Sequence, residues 1–267
     1  MAEVSFNRLL LTGAAGGLGR TLRPRLKACC NRLRVSDVAD LGTPAEGEEV
    51  VPAALQDAAA MLALLDGVDA VVHLGGVSVE GPFEPILQAN IVGVYHLYEA
   101  ARKHRTRRIV FASSNHVTGF YRQDEVVAPG DPMRPDGYYG LSKAYGENLA
   151  RFYFDRYGIE TVCLRIGSSF PSAKDRRMLA TWLSHDDLER LVLASLTAPV
   201  VGHSVIYGMS DNTTRWWDNT RAAHIGFRPQ DSSEPFRAAT ETQPPLDRND
   251  PAVIYQGGGF VTKGPFS

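Results

Sequence analysis

Arg8-Leu9-Leu10-Leu11-Thr12 is a short apolar run that reads as a buried strand, and Gly13-Ala14-Ala15-Gly16-Gly17-Leu18-Gly19 follows it at once. Leu18, Leu22 and Leu26 then recur at a helical spacing of four. A strand, a glycine turn and a helix in that order leave few folds open. Gly13, Gly16 and Gly19 let the backbone turn tightly and approach a pyrophosphate, whose charge then sits at the helix N-terminus. Ala15, Gly17 and Leu18 complete the turn and count among the candidate cofactor contacts. The next strand, Leu33-Arg34-Val35-Ser36, ends at Asp37, eighteen residues after Gly19. An acidic side chain there accepts hydrogen bonds from both ribose hydroxyls of an adenosine and repels a 2′-phosphate, which predicts NAD rather than NADP. The plainer reading of Asp37 is a turn residue at a strand end.

The pattern continues. Ala70-Val71-Val72-His73-Leu74 predicts a strand ending in Gly75-Gly76, where a cofactor can press on the backbone. Ile86, Leu87, Ile91, Val94, Tyr95 and Tyr98 mark a helix that carries Asn90. Arg108-Ile109-Val110-Phe111-Ala112 delivers Ser113 and Ser114 at its C-terminal end, and Thr161 to Arg165 and Val200 to Tyr207 supply two more strands. Strands alternating with helices imply an α/β fold, a doubly wound parallel sheet with helices on both faces. Ligands in such sheets bind beyond the carboxyl ends of the strands. One domain over 1–267 is expected, with 8–165 mainly the NAD-binding core and catalytic residues, and 166–267 mainly a substrate-binding part and small C-terminal extension. After about residue 210 the pattern loosens. Trp216-Trp217-Asp218-Asn219 and Ile225-Gly226-Phe227-Arg228-Pro229 predict a helix and a turn, with the tryptophans packing rather than stacking on a sugar. Pro244-Pro245 and Gly257-Gly258-Gly259 predict an irregular tail.

Tyr139 and Lys143 lie four apart on a segment whose apolar positions, Leu141, Tyr145, Leu149, Phe152 and Tyr153, are helically spaced. They share a face, so a phenol and an ammonium can serve one site. A free tyrosine gives up its proton near pH 10, and a nearby cation lowers that value. Lys143 supplies one cation and an oxidised nicotinamide would add a second.

Composition removes other classes of function. The net charge of −2 offers no general pull on nucleic acid or anionic membrane. No apolar run reaches transmembrane length, and Met-Ala-Glu-Val-Ser at the start lacks the pattern of a signal peptide. Three cysteines, two of them adjacent (Cys29, Cys30), do not make a disulfide framework, so a cytoplasmic location with reduced thiols is expected. The histidines His73, His96, His104, His185, His203 and His224 are scattered without metal-ligand spacing, and no metal is expected.

Glycine turn, acidic strand end, strand-end serine, Tyr139-x-x-x-Lys143 and Leu164-Arg165 together resemble the extended short-chain dehydrogenase/reductase superfamily over residues 8 to 230. The resemblance implies a Rossmann-type fold, NAD or NADP, and a Ser/Tyr/Lys active site. It makes Tyr139 the acid/base, gives Lys143 the tuning of Tyr139 and the nicotinamide ribose, and gives Ser114 the substrate hydroxyl, with Ser113 competing for that role. It also implies Leu55, Leu74, Gly75, Gly76, Asn90 and Ile166 as cofactor contacts. The family's second turn usually has an acidic residue before a leucine for the adenine amino group. Here Ala53-Ala54-Leu55-Gln56-Asp57 leaves that contact to the Leu55 backbone or to Asp57.

Within the superfamily, Ser113 to Tyr121, Lys174 to Ser184, Trp216 to Asn219 and Gly226 to Ser232 are similar to the uronate dehydrogenases, which oxidise glucuronate and galacturonate at C1. That likeness implies an aldaro-lactone product and a carboxylate partner, Arg177 or its neighbour Arg176, since arginine offers carboxylates a planar fork. Ser78, Asn115, His116 and Ser168 would line the ring hydroxyls. His116 beside a catalytic serine invites a hydrolase reading, but nothing in the sequence places an acid partner or nucleophile elbow near it. A nucleotide-sugar epimerase or dehydratase and a non-catalytic NAD sensor are the competing functions; homo-oligomers are common in the superfamily.

Overall fold

Leu9 and Leu11 face one side of the first strand and Leu10 the other, and all three are fully buried, so both faces of the sheet must be covered. The computed structural model describes residues 6–244 and 246–266. The N-terminal stretch read for a targeting signal, and Pro245, fall outside the described residues.

Seven parallel strands form the sheet: β1 (Phe6–Thr12), β2 (Cys30–Ser36), β3 (Glu48–Val50), β4 (Ala70–His73), β5 (Arg108–Ser114), β6 (Glu160–Ile166) and, numbered after two short outlying strands, β9 (His203–Gly208). Their order is β3-β2-β1-β4-β5-β6-β9. The outliers β7 (Ser168–Ser169) and β8 (Trp182–Leu183) pair with each other. Helix α1 (Gly17–Leu26) follows β1 and α2 (Ala58–Leu64) precedes β4. Next, α3 (Phe83–Ile86) and α4 (Gly93–His104) are joined by a π-helical turn, Leu87–Val92. Then come α5 (Tyr138–Tyr157), α6 (Met178–Thr181) and α7 (His185–Thr197).

The alternation in the strands sorts the core into two layers. Leu22 and Leu26 of α1 and Leu188, Leu191 and Val192 of α7 meet Leu9, Leu11, Val110 and Leu164 on one face. Met61 and Leu64 of α2, Leu97 and Tyr98 of α4 and Tyr153 of α5 meet Leu10, Val71, Ile109 and Phe111 on the other. The chain winds outward in opposite directions from the adjacent β1 and β4, and this reversal leaves a crevice beyond their carboxyl ends.

Two expectations for the last third need correction. Trp216 to Asn219 is not helical: Trp217 makes an isolated bridge with Val127, and the helix is a 3-10 turn at Thr220–Ile225, ended by Gly226 at φ +80°. The pull on this segment is burial, since Trp217 stacks on Tyr207 at 4.8 Å with ring planes 6° apart. Nor is the tail irregular throughout, because short helical turns at Arg237–Glu241, Pro251–Ile254 and Gly258–Thr262 return it to the main body.

One buried ion pair ties α5 to the sheet. Arg165 of β6 donates from Nε to Glu147 Oε1 at 3.0 Å and from Nη2 to Oε2 at 2.9 Å, with both side chains 1% exposed. Ser113 Oγ donates to the same Glu147 carboxylate at 2.5 Å. Breaking such a pair strands a charge in the interior and costs about 3–5 kcal/mol, while replacing both partners is far cheaper. Glu147→Met is therefore expected to lower the urea-unfolding free energy by about that amount, and Glu147→Met with Arg165→Met to recover most of it. A double variant as unstable as the sum of the singles would contradict this reading of the pair.

Candidate active site

The carboxyl ends of β1, β2, β4, β5 and β6 open into one cavity of about 1280 Å³. Its nucleotide end is built from backbone. Gly13 has φ +69°, and a Cβ there would stand 2.6 Å from the Leu74 carbonyl carbon and 2.7 Å from Gly75 N. The first turn therefore lies against the turn after β4, which only glycine permits. Gly16 caps α1 without a side-chain hydrogen bond, and no acidic residue occupies the first turn, so the N–H groups of that turn are open to an anion. Asp37 ends β2 beside this loop: Oδ2 accepts from Ala15 N at 3.0 Å and Oδ1 from Ala39 N at 3.1 Å. Each oxygen keeps a second lone pair for a ribose hydroxyl.

Gly13, Ala15, Gly16, Gly17, Leu18, Gly19, Asp37, Leu55, Leu74, Gly75, Gly76 and Ile166 all line the cavity. Asn90 does not. Its Oδ1 accepts from Val77 N at 2.8 Å, and its Nδ2 donates to Val77 O at 2.9 Å and Ser142 Oγ at 3.0 Å. Its amide braces the turn after β4 against α5. Asp57 is also spent elsewhere, capping α2 by accepting from Ala59 N and Ala60 N at 2.9 and 3.0 Å. Gln56, which sequence reasoning passed over, lines the cavity with Leu55.

The catalytic end hangs on α5. Its first turn is capped from a distance: Glu80 accepts from Tyr138 N at 3.0 Å and Tyr139 N at 2.8 Å. Tyr139 is buried, and Ser114, which acts on its phenol, accepts at Oγ from the His116 backbone N at 3.2 Å. Ser113 is occupied by Glu147 (2.5 Å), so of the two adjacent serines Ser114 is the candidate for a substrate oxygen. Burial pushes the Tyr139 phenol up to about 12, against the Ser114 hydrogen bond that lowers it and with the Asp136 charge that raises it. Lys143 Nζ donates to Ala112 O at 2.8 Å and lies 5.7 Å from the Tyr139 ring centroid. Burial brings its ammonium down to about 8.

Ser78, Asn115, His116, Ser168 and Arg177 line the same cavity as Tyr139. Arg177 precedes α6 and donates from Nε to Gln256 O at 2.8 Å and from Nη1 to Ser168 Oγ at 3.2 Å. In the amide orientation that satisfies both ends of Asn115, its Oδ1 accepts from Arg177 Nη2 at 2.9 Å and its Nδ2 donates to Ile166 O at 3.1 Å. No carboxylate among the described residues comes within 4.0 Å of this guanidinium, and burial holds its pKa below the ordinary arginine value. Arg176 points away: it donates to Pro244 O at 2.7 Å, Glu241 O at 3.0 Å and Gln243 O, and does not line the cavity.

His116 has an acid partner that the sequence did not reveal. Its Nδ1 lies 2.6 Å from Oδ2 of the buried Asp136, three residues before Tyr139. Burial lowers the imidazole pKa, opposed by Asp136, so the neutral ring donates from Nδ1 and keeps Nε2 as an acceptor. No hydrolase relay results, because Ser114 meets the His116 backbone and not its ring. Phe260, also missed, lines the cavity and stacks on His116 at 3.9 Å. His73 is buried, with Nδ1 at 2.7 Å from Thr12 Oγ1 and Nε2 without a partner. Among the described residues no group of three or more His, Cys, Asp or Glu side chains is placed to hold a metal ion, and no helix is long and apolar enough to cross a membrane.

Residues 9–198 match the model of the NAD dependent epimerase/dehydratase family. The chain belongs to that family. It is 60% identical over 269 residues to a uronate dehydrogenase of Pseudomonas putida, covering 100% of both chains. It superposes on the crystal structure of uronate dehydrogenase from Agrobacterium tumefaciens with a TM-score of 0.95 at 52% identity, over 98% of this chain and 99% of that one. A tyrosine-to-alanine mutant of that enzyme, complexed with NAD, matches with a TM-score of 0.94 at 52% identity, over 97% of this chain and 98% of that one.

The glycine cradle, the open N-terminus of α1 and the Asp37 carboxylate fit NAD, and a 2′-phosphate placed at Asp37 would meet a carboxylate. Asp37→Ala should narrow the ratio of kcat/KM for NAD over NADP by roughly tenfold or more, the worth of losing hydrogen bonds to a charged acceptor. Comparable kcat/KM for both cofactors in the wild type would show that this carboxylate has another role.

Proposed function

We propose that this chain is an NAD-dependent dehydrogenase that oxidises a uronate, D-glucuronate or D-galacturonate, at C1 to the aldaro-lactone. The observation that carries the substrate class is Arg177, a part-buried guanidinium lining the same cavity as Tyr139 and Ser114, with no carboxylate among the described residues as its partner. Charge in that setting calls for an anionic group on the ligand, and a uronate differs from its parent sugar by a carboxylate. The 52–60% identity to uronate dehydrogenases over nearly the whole chain supports the same reading.

The division of labour follows from the residues. Bound NAD supplies the acceptor for the hydride that leaves C1, and Gly13, Gly16, Gly19, Asp37 and the turn after β4 would hold it. Tyr139 as phenolate takes the proton of the anomeric hydroxyl, and Ser114 holds the same oxygen. Lys143 supplies positive charge beneath the phenol and would bond the nicotinamide ribose. His116 accepts from a ring hydroxyl through Nε2, while Asn115, Ser78 and Ser168 complete the polar lining. Loss of hydride and proton from a cyclic hemiacetal leaves an ester, the lactone. A cytoplasmic location is supported by three buried free thiols. Assembly with further copies of the chain is supported by Tyr95 of α4 and Phe152 and Tyr157 of α5, which stay exposed on neighbouring helices.

The test is NADH formation with free sugars. The wild type should reduce one NAD for every uronate consumed, whereas an epimerase would return its cofactor unchanged after each turnover. Glucose and galactose should be very poor substrates. Arg177→Ala should raise KM for the uronate about ten- to hundredfold, since a charge-assisted pair contributes roughly 1.5–3 kcal/mol, and Arg177→Lys should recover only a fraction. Equal proportional losses on uronates and neutral sugars would make Arg177 structural and withdraw the substrate assignment.

A further inference from the structure

The C-terminal segment reaches the site through its backbone. Gln256 is fully buried; its Oε1 accepts from Trp217 Nε1 at 2.9 Å, and its Nε2 donates to the carbonyls of Arg122 and Glu125, each at 2.9 Å. Gln256 N donates to Tyr121 O at 2.8 Å, and Gln256 O accepts from Arg177 Nε at 2.8 Å. The side chain thus docks the segment while the carbonyl meets the arginine.

The next residues fit closely around the same groups. A Cβ on Gly257 would stand 2.0 Å from Asp136 Oδ2, the oxygen that holds His116. A Cβ on Gly258 would stand 2.7 Å from Arg177 Cδ and 2.8 Å from its Nε, and Gly258 has φ +61°. Only glycine lets the chain pass there without moving Arg177. Phe260 then stacks on His116 with planes 13° apart and lies edge-on to Tyr139 at 6.2 Å between centroids.

A guanidinium carries five N–H donors in one plane. Gln256 O takes one, Ser168 Oγ a second and Asn115 Oδ1 a third, which leaves one on each of Nη1 and Nη2. Fixing Nε fixes the rotation of that plane, and with it the direction of the two remaining donors.

We propose that residues 256–260 are a positioning element for Arg177: the Gln256 carbonyl and the glycine pair set the plane of the guanidinium so that its two spare donors meet a carboxylate. The C-terminal segment is then a determinant of specificity for uronates over neutral sugars, an inference that rests on Arg177 being the carboxylate partner. Gly258→Ala should raise the uronate KM by about tenfold with a much smaller change in kcat, the size expected when a charge-assisted contact is misaligned. NAD affinity, read by quenching of intrinsic fluorescence, should not change.

The decisive comparison is a double-mutant cycle with kcat/KM for D-galacturonate as the readout. With Arg177→Ala already present, Gly258→Ala should cost less than about twofold more, because the group it displaces is gone. Gln256→Glu, which loses the donors to Arg122 O and Glu125 O, provides the same cycle should Gly258→Ala fail to fold, and should show the same dependence on Arg177. Equal losses with and without Arg177, or a wild-type KM in both variants, would overturn the proposal while leaving uronate oxidation standing. A wild type inactive on uronates would overturn both.

Discussion

Lys143 is held out of water with a backbone carbonyl and, among the described residues, no carboxylate as its hydrogen-bond partner, and the proposed chemistry of the site depends on that arrangement. A carboxylate beside it would stabilise the ammonium but cancel its field at Tyr139. With only Ala112 O as acceptor, the charge is destabilised by burial, down to about 8, yet its field stays available to the phenol. The phenol needs it, because burial and the Asp136 charge, even against Ser114, leave Tyr139 at about 12. Two unit charges about 6 Å apart at an effective dielectric constant of about 20 interact by roughly 3 kcal/mol, about two pKa units. That offsets only part of the distance to neutrality. With Ser114 already acting on the phenol, the positive charge of an oxidised nicotinamide would supply the rest, which ties proton removal to the presence of the cofactor.

The remainder of the site serves to keep this pair where a substrate can meet it. Glu80 caps the first turn of α5, Asn90 bonds both the turn after β4 and Ser142, and Ser142 Oγ donates to Tyr139 O at 2.7 Å. The cofactor-facing turn and the catalytic helix are therefore joined at two points. The Glu147–Arg165 pair fixes the middle of the same helix to β6 and occupies Ser113, which separates the roles of two adjacent serines.

Much of this could be read from residues in order, for reasons that are local. A buried parallel strand must be an apolar run, a dinucleotide turn must be glycine-rich, and Tyr139 and Lys143 must lie one helical turn apart, so each leaves a short-range mark. Groups that act across long separations leave none. Asp136 pairs with His116 twenty positions away, and Glu80 caps a helix that begins 58 residues later. For Asn90 the sequence shows a position on a helix and not its partners, Val77 and Ser142. Gly257-Gly258-Gly259 predicts an irregular tail for the same reason: glycine marks close approach as readily as irregular chain, and what it approaches, Asp136 and Arg177, is known only once the chain is folded. Arg177 and Arg176 are indistinguishable in sequence and are separated by where their donors end up.

The dependence of proton removal on the buried ammonium is tested most directly by the pH profile of kcat/KM for a uronate at saturating NAD, in the wild type and in Lys143→Met. In the proposed reaction the reactive form is the phenolate, so activity should be lost as pH falls through the pKa of Tyr139 in the cofactor complex. Removing the cation disfavours the phenolate, raises that pKa and should move the loss to higher pH by on the order of one to two units, with NAD still bound. An acid limb at the same pH in both proteins would contradict the account, as would a Tyr139→Phe variant that keeps the wild-type profile.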